Sequence, residues 1–515
     1  MAIVNTRAIV LAAGRSTRFK TTKSKLLTDI CGQAMILYPL KELAYLGLPT
    51  TLILGHQSEI VQQEVTAAAI PDIDFIIQTE QLGTGHALAC TEGRWDKDTI
   101  LVLSGDTPLI TSELLQRILI THSQTKAAVT FYSTFVLDPT GYGRIVTENS
   151  KIKIIEEKDC TIEQRSINQV NAGIYVFSRE FLQENIRKIE RSPITGEFYL
   201  PELIDIAGKQ NLTVISITAP FDSIRGINLL EELWAVEQIK RSQLIKHWMA
   251  NGVRFELAQN IHLDRDVEIG ADSFIGTGVI LSRGTKIGKN CKINAFTILE
   301  NTVVGDDTVI HSHTVLQDSV IGKNCSVGPF ARLRDEVMLG NKVTVGNFVE
   351  IKNSSLGDGV KAKHLTFLGD AKIGSAVNIG AGTITCNHDG KNKNQTIIED
   401  NAYIGSNNSL VAPIQIGKGA FTAAGSVITK DVAANDLAIA RAPQVNKPGY
   451  ATILRDRAAA KKAAKETGIP IALDPAQSID TENTAKKSAA DTKTSDKKND
   501  MQFMGAYSTE VGSTL

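Results

Sequence analysis

Up to about residue 228, short apolar runs alternate with segments whose apolar residues recur every three or four positions. Residues 8–13, 51–55, 75–78, 99–105, 127–133 and 173–177 read as strands, and 34–47 and 59–70 as amphipathic helices between them. Strands alternating with helices predict a mostly parallel α/β sheet covered by helices, with ligands gathered at the carboxyl ends of its strands. Residues 229–250 carry apolar side chains at helical spacing with charges between them, and predict a connecting helix.

From about residue 261 the period changes. Aliphatic residues fall at every sixth position in four runs: Ile269 to Leu299, Val327 to Ile351, Ile373 with Ile379, and Ile404 to Ile416. Many are followed by glycine, as at Gly270, Gly288, Gly322, Gly340 and Gly405. A hexapeptide period predicts a parallel β-helix, three six-residue faces to a triangular coil, with the aliphatic side chains inward and a small residue letting the backbone turn the corner. Residues 386–396 (CNHDGKNKNQT) hold no aliphatic and break the frame, so they should loop out of the coil, where binding groups tend to sit. Residues 455–468 read as a basic, Ala-rich helix, and 473–515, rich in Asp, Lys, Ser and Thr, as a disordered, solvated tail. The expected divisions are 1–228, 229–250, 251–450 and 451–515.

Composition narrows the function classes. The chain has 515 residues, enough for two to four domains, and is 42% hydrophobic and 22% charged, as soluble globular proteins are. A net charge of -1 argues against whole-chain binding to nucleic acid or anionic membrane, but leaves room for a local basic pocket. Six scattered cysteines without a CxxC pair suit a reducing compartment, no apolar run approaches a membrane span, and the amino terminus reads as a strand rather than a secretory signal. A cytoplasmic protein is expected.

Three segments carry chemistry in the first half. Leu11-Ala12-Ala13-Gly14 follows the first strand and is trailed by Arg18 and Lys25, so a small-residue loop with two cations can approach phosphate oxygens. It matches neither GxxxxGK[ST] nor GxGxxG, and on its own such a turn is more often a plain connection. Gln78-Thr79-Glu80-Gln81-Leu82-Gly83-Thr84-Gly85-His86 offers amides, a hydroxyl and glycines that can read a pyrimidine edge at close backbone approach. The run 99–105 then ends in Asp106, which as a lone feature suits a helix cap as well as a ligand. Beside a phosphate loop, a hard-cation ligand is the better reading, because Mg²⁺ takes one or two protein oxygens plus phosphates. In the second half, His364 lies among Arg332, Arg334, Lys352, Lys361 and Lys363. A lone histidine in a repeat coil is commonly structural, but this basic company suits an anionic ligand, and imidazole suits acyl transfer to an amine. His311 and His313 alternate as a metal pair would, without a carboxylate cluster to support one.

The motifs Leu11-Ala12-Ala13-Gly14…Lys25, Gln81-Leu82-Gly83-Thr84-Gly85-His86-Ala87 and Asp138-Pro139-Thr140-Gly141-Tyr142-Gly143-Arg144-Ile145, followed by the hexapeptide half, resemble the bacterial GlmU family from about residue 7 to 450. That family joins an N-acetylglucosamine-1-phosphate uridyltransferase to a glucosamine-1-phosphate N-acetyltransferase. The resemblance implies a Rossmann-like α/β nucleotidyltransferase domain, a left-handed parallel β-helix and a homotrimer. It also implies small-molecule substrates, with UTP and acetyl-CoA as co-substrates and Mg²⁺ as cofactor, and neither nucleic acid nor membrane insertion. By resemblance Leu11, Ala12, Gly14, Arg18 and the catalytic Lys25 hold UTP, and Gln78, Gly83 and Thr84 lie at the uracil. Ser104 and Asp106 follow at the strand end, Asp106 and Asn228 ligate the metal, and Gly143, Glu156, Asn171 and Asn228 contact the sugar nucleotide. The nucleophile there is a phosphate oxygen, already anionic, so His56, His86 and His122 need no catalytic role. In the second half His364 is the implied base and Arg334, Lys352, Phe367, Asn378 and Lys393 hold the sugar phosphate. Ala381, Asn387, His388, Ser406, Ala424 and Arg441 line the acetyl-CoA site.

The sequence departs from the family pattern at Ser16 (a glycine), Ser24 (a proline), Ser104 (a tyrosine), Phe367 and His388 (both tyrosines). The first three bear on affinity and sugar selectivity and leave the metal and phosphate groups in place; Phe367 loses one hydroxyl contact to the sugar phosphate and His388 changes the acetyl-CoA site, so a weaker acetyltransferase half is expected. Two other readings share this layout: a nucleotidyltransferase for another sugar whose β-helix is structural or regulatory, and a non-catalytic assembly or exchange-factor subunit.

Overall fold

A computed structural model describes residues 5–14, 16–148 and 151–467, without the side chain of Thr17. The first unit is a nine-stranded sheet. Its strands are β1 (Thr6–Ala12), β2 (Thr50–Leu54), β3 (Ile73–Ile77), β4 (Thr99–Ser104), β5 (Val129–Phe135), β6 (Arg144–Glu148), β7 (Lys151–Ile155), β8 (Gln169–Ser178) and β9 (Val214–Thr218). The order is β9-β5-β8-β4-β1-β2-β3, with β6 pairing to β8 and β7. β4, β1, β2 and β3 form a parallel block, and β8 runs antiparallel to both β4 and β5, so the sheet is mixed. The strand period of two sorts the core: Ile9, Ile53 and Val102 pack on one face, and Val10, Leu52 and Leu101 on the other. Helices α1 (Leu37–Tyr45), α2 (Ser58–Ala67), α3 (Thr84–Ala89), α4 (Ser112–Thr125) and α5 (Glu202–Lys209) flank the sheet.

The connecting helix is α6 (Leu230–Ala250). Its Glu232 carboxylate accepts from the backbone N–H groups of Asn228 (2.5 Å) and Leu229 (3.0 Å), which fixes the helix start and the residue before it. Its buried residues are Leu233, Val236 and Ile245, the last packing into the core of the second unit.

That second unit is a parallel β-helix of short strands from Arg254 to Ala438. Ile269 pairs with Ile287 and Ile287 with Val304, so successive coils advance eighteen or seventeen residues. The six-residue aliphatics stack inside; Ile275, Ile293, Leu333, Ile351 and Ile404 have no exposed surface at all. Between Ile373 and Ile398 the advance is twenty-five residues, and the excess is the excursion anticipated at 386–396. It is held by Asp389, whose carboxylate accepts from the N–H groups of Lys391 and Asn392, and these bonds hold its pKa far below the usual carboxylate range.

The glycines after the aliphatics do a different job from turning corners. A Cβ on Gly322 would sit 2.4 Å from the carbonyl oxygen of Gly340 in the next coil, so glycine is needed for close approach between coils. Left-handed positions in the coil are shared between glycines such as Gly278 and Gly425 and larger residues, among them Phe296, His313, Phe330, Phe348, Asn353 and Asp370. Four of these form a stacked ladder, Phe296–His313–Phe330–Phe348, with centroids 5.0–5.5 Å apart. His313 is thus a ring in a stack, while His311 Nε2 meets Ser326 Oγ at 3.0 Å, and the two do not form a metal pair. α7 (Tyr450–Thr467) follows with no buried residue. The tail at 473–515 lies outside the described residues.

Candidate functional site

In the first unit the candidates converge on the carboxyl ends of β1 and β4. Leu11 pairs with Ser104, and the Gly105 N–H donates to the Leu11 carbonyl (2.9 Å), which holds the two strand ends together. Gly14 stands in the open, with nothing within 4 Å of where a Cβ would be, so the loop leaves space for a ligand. Lys25 is buried, and its ammonium donates to Asp106 Oδ2 (2.5 Å) and to the Ile227 carbonyl (2.6 Å). The Ile227 N–H donates to the Asp106 carbonyl (3.1 Å), and Arg18 Nη2 donates to Asn228 Oδ1 (2.9 Å). Lys25, Arg18, Asp106 and Asn228, up to 210 residues apart in the chain, are therefore one constellation.

The pair Asp106 and Asn228 fits a hard cation. It offers one carboxylate and one amide oxygen, which accept from Lys25 and Arg18 respectively. Among the described residues no group of three or more His, Cys, Asp or Glu side chains could hold a metal, so any ion here would depend on ligand oxygens as well.

The Gln78–His86 loop is strapped from outside. The Gly85 N–H donates to the Phe198 carbonyl (2.8 Å), the Phe198 N–H to the Leu82 carbonyl (2.8 Å), and the Leu200 N–H to Thr84 Oγ1 (3.0 Å). Gly83 has φ +109°, and a Cβ there would lie 2.5 Å from the Phe198 carbonyl oxygen, so glycine is obligatory. Gln78 is 3% exposed and its amide nitrogen meets His86 Nδ1 at 2.9 Å. On the opposite wall the Asn171 N–H donates to the Gly143 carbonyl (2.9 Å), at a register break in β8 that re-aims the Asn171 side chain. Glu156 lies beside Gly143, its Oε1 3.3 Å from a Cβ built there. Burial, together with Asp159 and Glu197 nearby, pushes the Glu156 carboxyl up to about 7. His122 is buried against Thr130 and pushed down to about 4 by burial, a neutral packing residue.

The second unit distributes its candidates over two corners of the coil. At one corner His364 is exposed on the strand 361–369, and its Nδ1 meets Asn347 Oδ1 at 3.3 Å. An Nδ1–H donated to that amide oxygen would leave the Nε2 lone pair for other partners. Below it run Ala381, Ser406 and Ala424, joined coil to coil through Gly382 N–H to Leu365 (3.0 Å), Asn407 N–H to Ala381 (2.7 Å) and Gly425 N–H to Ser406 (2.8 Å). Arg441 follows beside Gly425, and Asn378 pairs with Lys361 at the start of the His364 strand.

The other corner holds Arg334, Lys352, Asn387, His388 and Lys393. Arg334 and Lys352 are register partners on adjacent coils. Arg334 donates to Glu350 Oε1 through Nη2 (2.8 Å) and Nε (3.0 Å) and to Asp335 (2.9 Å), while Lys352 lies 3.4 Å from Asp335. A phosphate bound here competes with those two carboxylates. Asn387 donates to Asp370 Oδ2 (2.5 Å), and His388 bridges to Lys393 across the excursion. Phe367 lies between the corners, in register with Glu350. From His364 to Gly369, the partner of Lys352, the strand spans roughly 16 Å at about 3.3 Å per residue. Among the described residues no hydrogen bond or ion pair links His364 to Arg334 or Lys352.

Sequence reading missed several participants. Asn347 was findable, because it precedes His364 by one coil, and Glu232 because it caps the connecting helix. The strap at 198–200 had no local signal, since its contacts are set by tertiary packing.

Comparison with known proteins agrees with this architecture. Residues 7–214 match the nucleotidyl transferase family, 257–356 the GMPPB C-terminal domain, and 395–430 six bacterial transferase hexapeptide repeats. Fold and site together define a nucleotidyltransferase joined to a hexapeptide-repeat transferase. The bifunctional protein GlmU of Exiguobacterium sibiricum is 41% identical over 454 residues, covering 87% of this chain and 100% of that protein. Those of Clostridium botulinum (strain 657 / Type Ba4) and Shouchella clausii are each 38% identical, covering 86% of this chain and 97% and 98% of theirs. The chain belongs to the GlmU family.

Proposed function

We propose that this chain makes UDP-N-acetylglucosamine, a precursor for cell-wall polymers, by two reactions at two separate sites. The observation that carries the reading is the coexistence of the Lys25–Asp106–Asn228–Arg18 constellation at the sheet ends with His364 and its Asn347 partner on the coil. At the coil, the Nε2 lone pair of His364 takes a proton from the amine of glucosamine-1-phosphate as that nitrogen attacks the thioester carbonyl of acetyl-CoA. The C–N bond forms, the C–S bond breaks, and the coenzyme leaves as thiolate and is protonated. Arg334, Lys352, Phe367, Asn378 and Lys393 hold the sugar phosphate, and Ala381, Asn387, His388, Ser406, Ala424 and Arg441 the coenzyme.

At the sheet, a phosphate oxygen of N-acetylglucosamine-1-phosphate attacks the α-phosphorus of UTP in line and pyrophosphate leaves. Lys25 and Arg18 move charge onto the triphosphate, and Leu11, Ala12 and Gly14 bring the backbone to it. Gln78, Gly83 and Thr84 seat the uracil, and Ser104, Gly143, Glu156 and Asn171 the sugar. Mg²⁺, held by Asp106 and Asn228 with phosphate oxygens, supplies charge neutralisation when bound. In our reading the protein is a homotrimer, in which the His364 corner of one copy would face the Arg334–Lys352 corner of another. The described residues contain no helix long and apolar enough to cross a membrane.

Product analysis tests the reading. Supplied with glucosamine-1-phosphate, acetyl-CoA, UTP and Mg²⁺, the protein should yield UDP-N-acetylglucosamine, free coenzyme and pyrophosphate. Nucleotide transfer without acetyl transfer would leave the single-activity alternative standing.

A further inference from the structure

The Gln78 carboxamide is set in one orientation by its neighbours. Its nitrogen lies 2.9 Å from His86 Nδ1 and 3.4 Å from the Gly83 carbonyl oxygen. A carbonyl only accepts, so the nitrogen must be the atom on that side, with one N–H for each partner. His86 Nδ1 therefore accepts and its ring proton sits on Nε2. Among the described residues nothing donates to Gln78 Oε1, which is left as the group offered to a ligand. The His86 ring is itself located: it stands on the first turn of α3, stacked at 27° on Phe198, and Phe198 is fastened to the loop by two backbone hydrogen bonds.

An oxygen-first amide discriminates between pyrimidines. Uracil presents an N3–H donor between two carbonyls, and that proton finds Oε1. Cytosine presents an unprotonated N3, whose lone pair would face Oε1. Were the amide reversed, its N–H would suit cytosine N3 and would lose the uracil proton. With Gln78 buried, the wrong base leaves polar groups facing each other unpaired.

We propose that His86 is the positioning residue that holds the Gln78 carboxamide oxygen toward the nucleobase and so makes the amino-terminal site prefer uracil to cytosine. This rests on the reading above that Gln78 faces the base. His86 touches no reacting atom, in keeping with chemistry that needs no general base.

The test is the ratio of kcat/KM for UTP to that for CTP, measured as pyrophosphate release with N-acetylglucosamine-1-phosphate. His86→Phe keeps a ring to stack on Phe198 and removes the acceptor. The ratio should fall about tenfold, the size of one net hydrogen bond, through KM for UTP rather than kcat. His86→Asn loses the ring but puts an amide oxygen two atoms beyond Cβ, as Nδ1 is, and the ratio should stay within about threefold of the parent. Thermal melts and acetyl transfer by the same preparations report folding; should His86→Phe not fold, His86→Leu takes its place. A ratio unchanged in the acceptor-less variant, or lowered equally in both, overturns the proposal. Gln78→Ala separates the two levels: if it lowers the ratio while His86→Phe does not, only the positioning role fails. If it changes neither the ratio nor KM for UTP, Gln78 does not face the base and the underlying reading fails with it.

Discussion

The two halves of this chain assemble chemistry in opposite ways. The sheet brings the ends of β1 and β4 together with the segment before α6, so that Arg18 and Asn228, 210 residues apart, are in contact within a single chain. The β-helix does the reverse: residues one coil apart, such as Asn347 and His364, become neighbours, while residues five apart on the same strand are carried to opposite corners. A parallel sheet with crossovers converges distant segments at one edge. A solenoid preserves sequence order as ladders, and a pocket needing two ladders must borrow the second from elsewhere.

The sharpest ways to break this comparison are single substitutions that should silence one half alone. His364→Ala should lower kcat for acetyl transfer by about 10²–10⁴-fold, the usual worth of a general base, and leave pyrophosphate release intact. Asp106→Ala should lower uridyl transfer by about 10²–10³-fold, as loss of an electrostatic stabiliser does, with acetyl transfer unaffected. Parallel assays of both activities check each variant, and a loss of both activities together would merge the two sites.

Stability sharpens the contrast. Leu333 is wholly buried in the stacked core of the coil, and Leu333→Ala should cost about 2–5 kcal/mol in that unit, read by denaturant unfolding. Smaller and pH-dependent is the effect at Glu156. Its carboxyl is raised from 4.5 to about 7, so the folded state prefers it protonated. That contribution is complete below about pH 4.5 and is lost as pH rises through 7. Glu156→Gln should therefore melt like the parent near pH 4.5 and above it near pH 8, by about 3 kcal/mol at most.

Much of this was legible in the residues. The six-residue aliphatic period fixes the coil because each inward position repeats the same burial, and the strands β1 to β4 announce themselves as continuous apolar runs. The hairpin β6–β7 was silent because each strand offers only a short apolar signal, RIVTE in β6 and alternating KIKII in β7. Edge strand β9 was silent for a similar reason, being half-buried along most of its length. The candidate residues of the first site were named by motif, but their cross-links, Lys25 to Asp106 and Arg18 to Asn228, arise from packing. In the coil the spacing of seventeen or eighteen residues between layers, rather than a strict eighteen, hides which residues share a corner until the register is known.

Intersubunit complementation of the acetyltransferase tests the central contrast most directly. His364→Ala and Lys352→Ala subunits, each inactive in acetyl transfer alone, are unfolded together and refolded as mixed oligomers. Because His364 and Lys352 stand on opposite corners, mixed assemblies should contain intact sites and regain a substantial fraction of the parental rate. The same mixing of Asp106→Ala with Asn228→Ala should restore no uridyl transfer. Mixed oligomers that stay dead in acetyl transfer, or that revive uridyl transfer, would contradict the account.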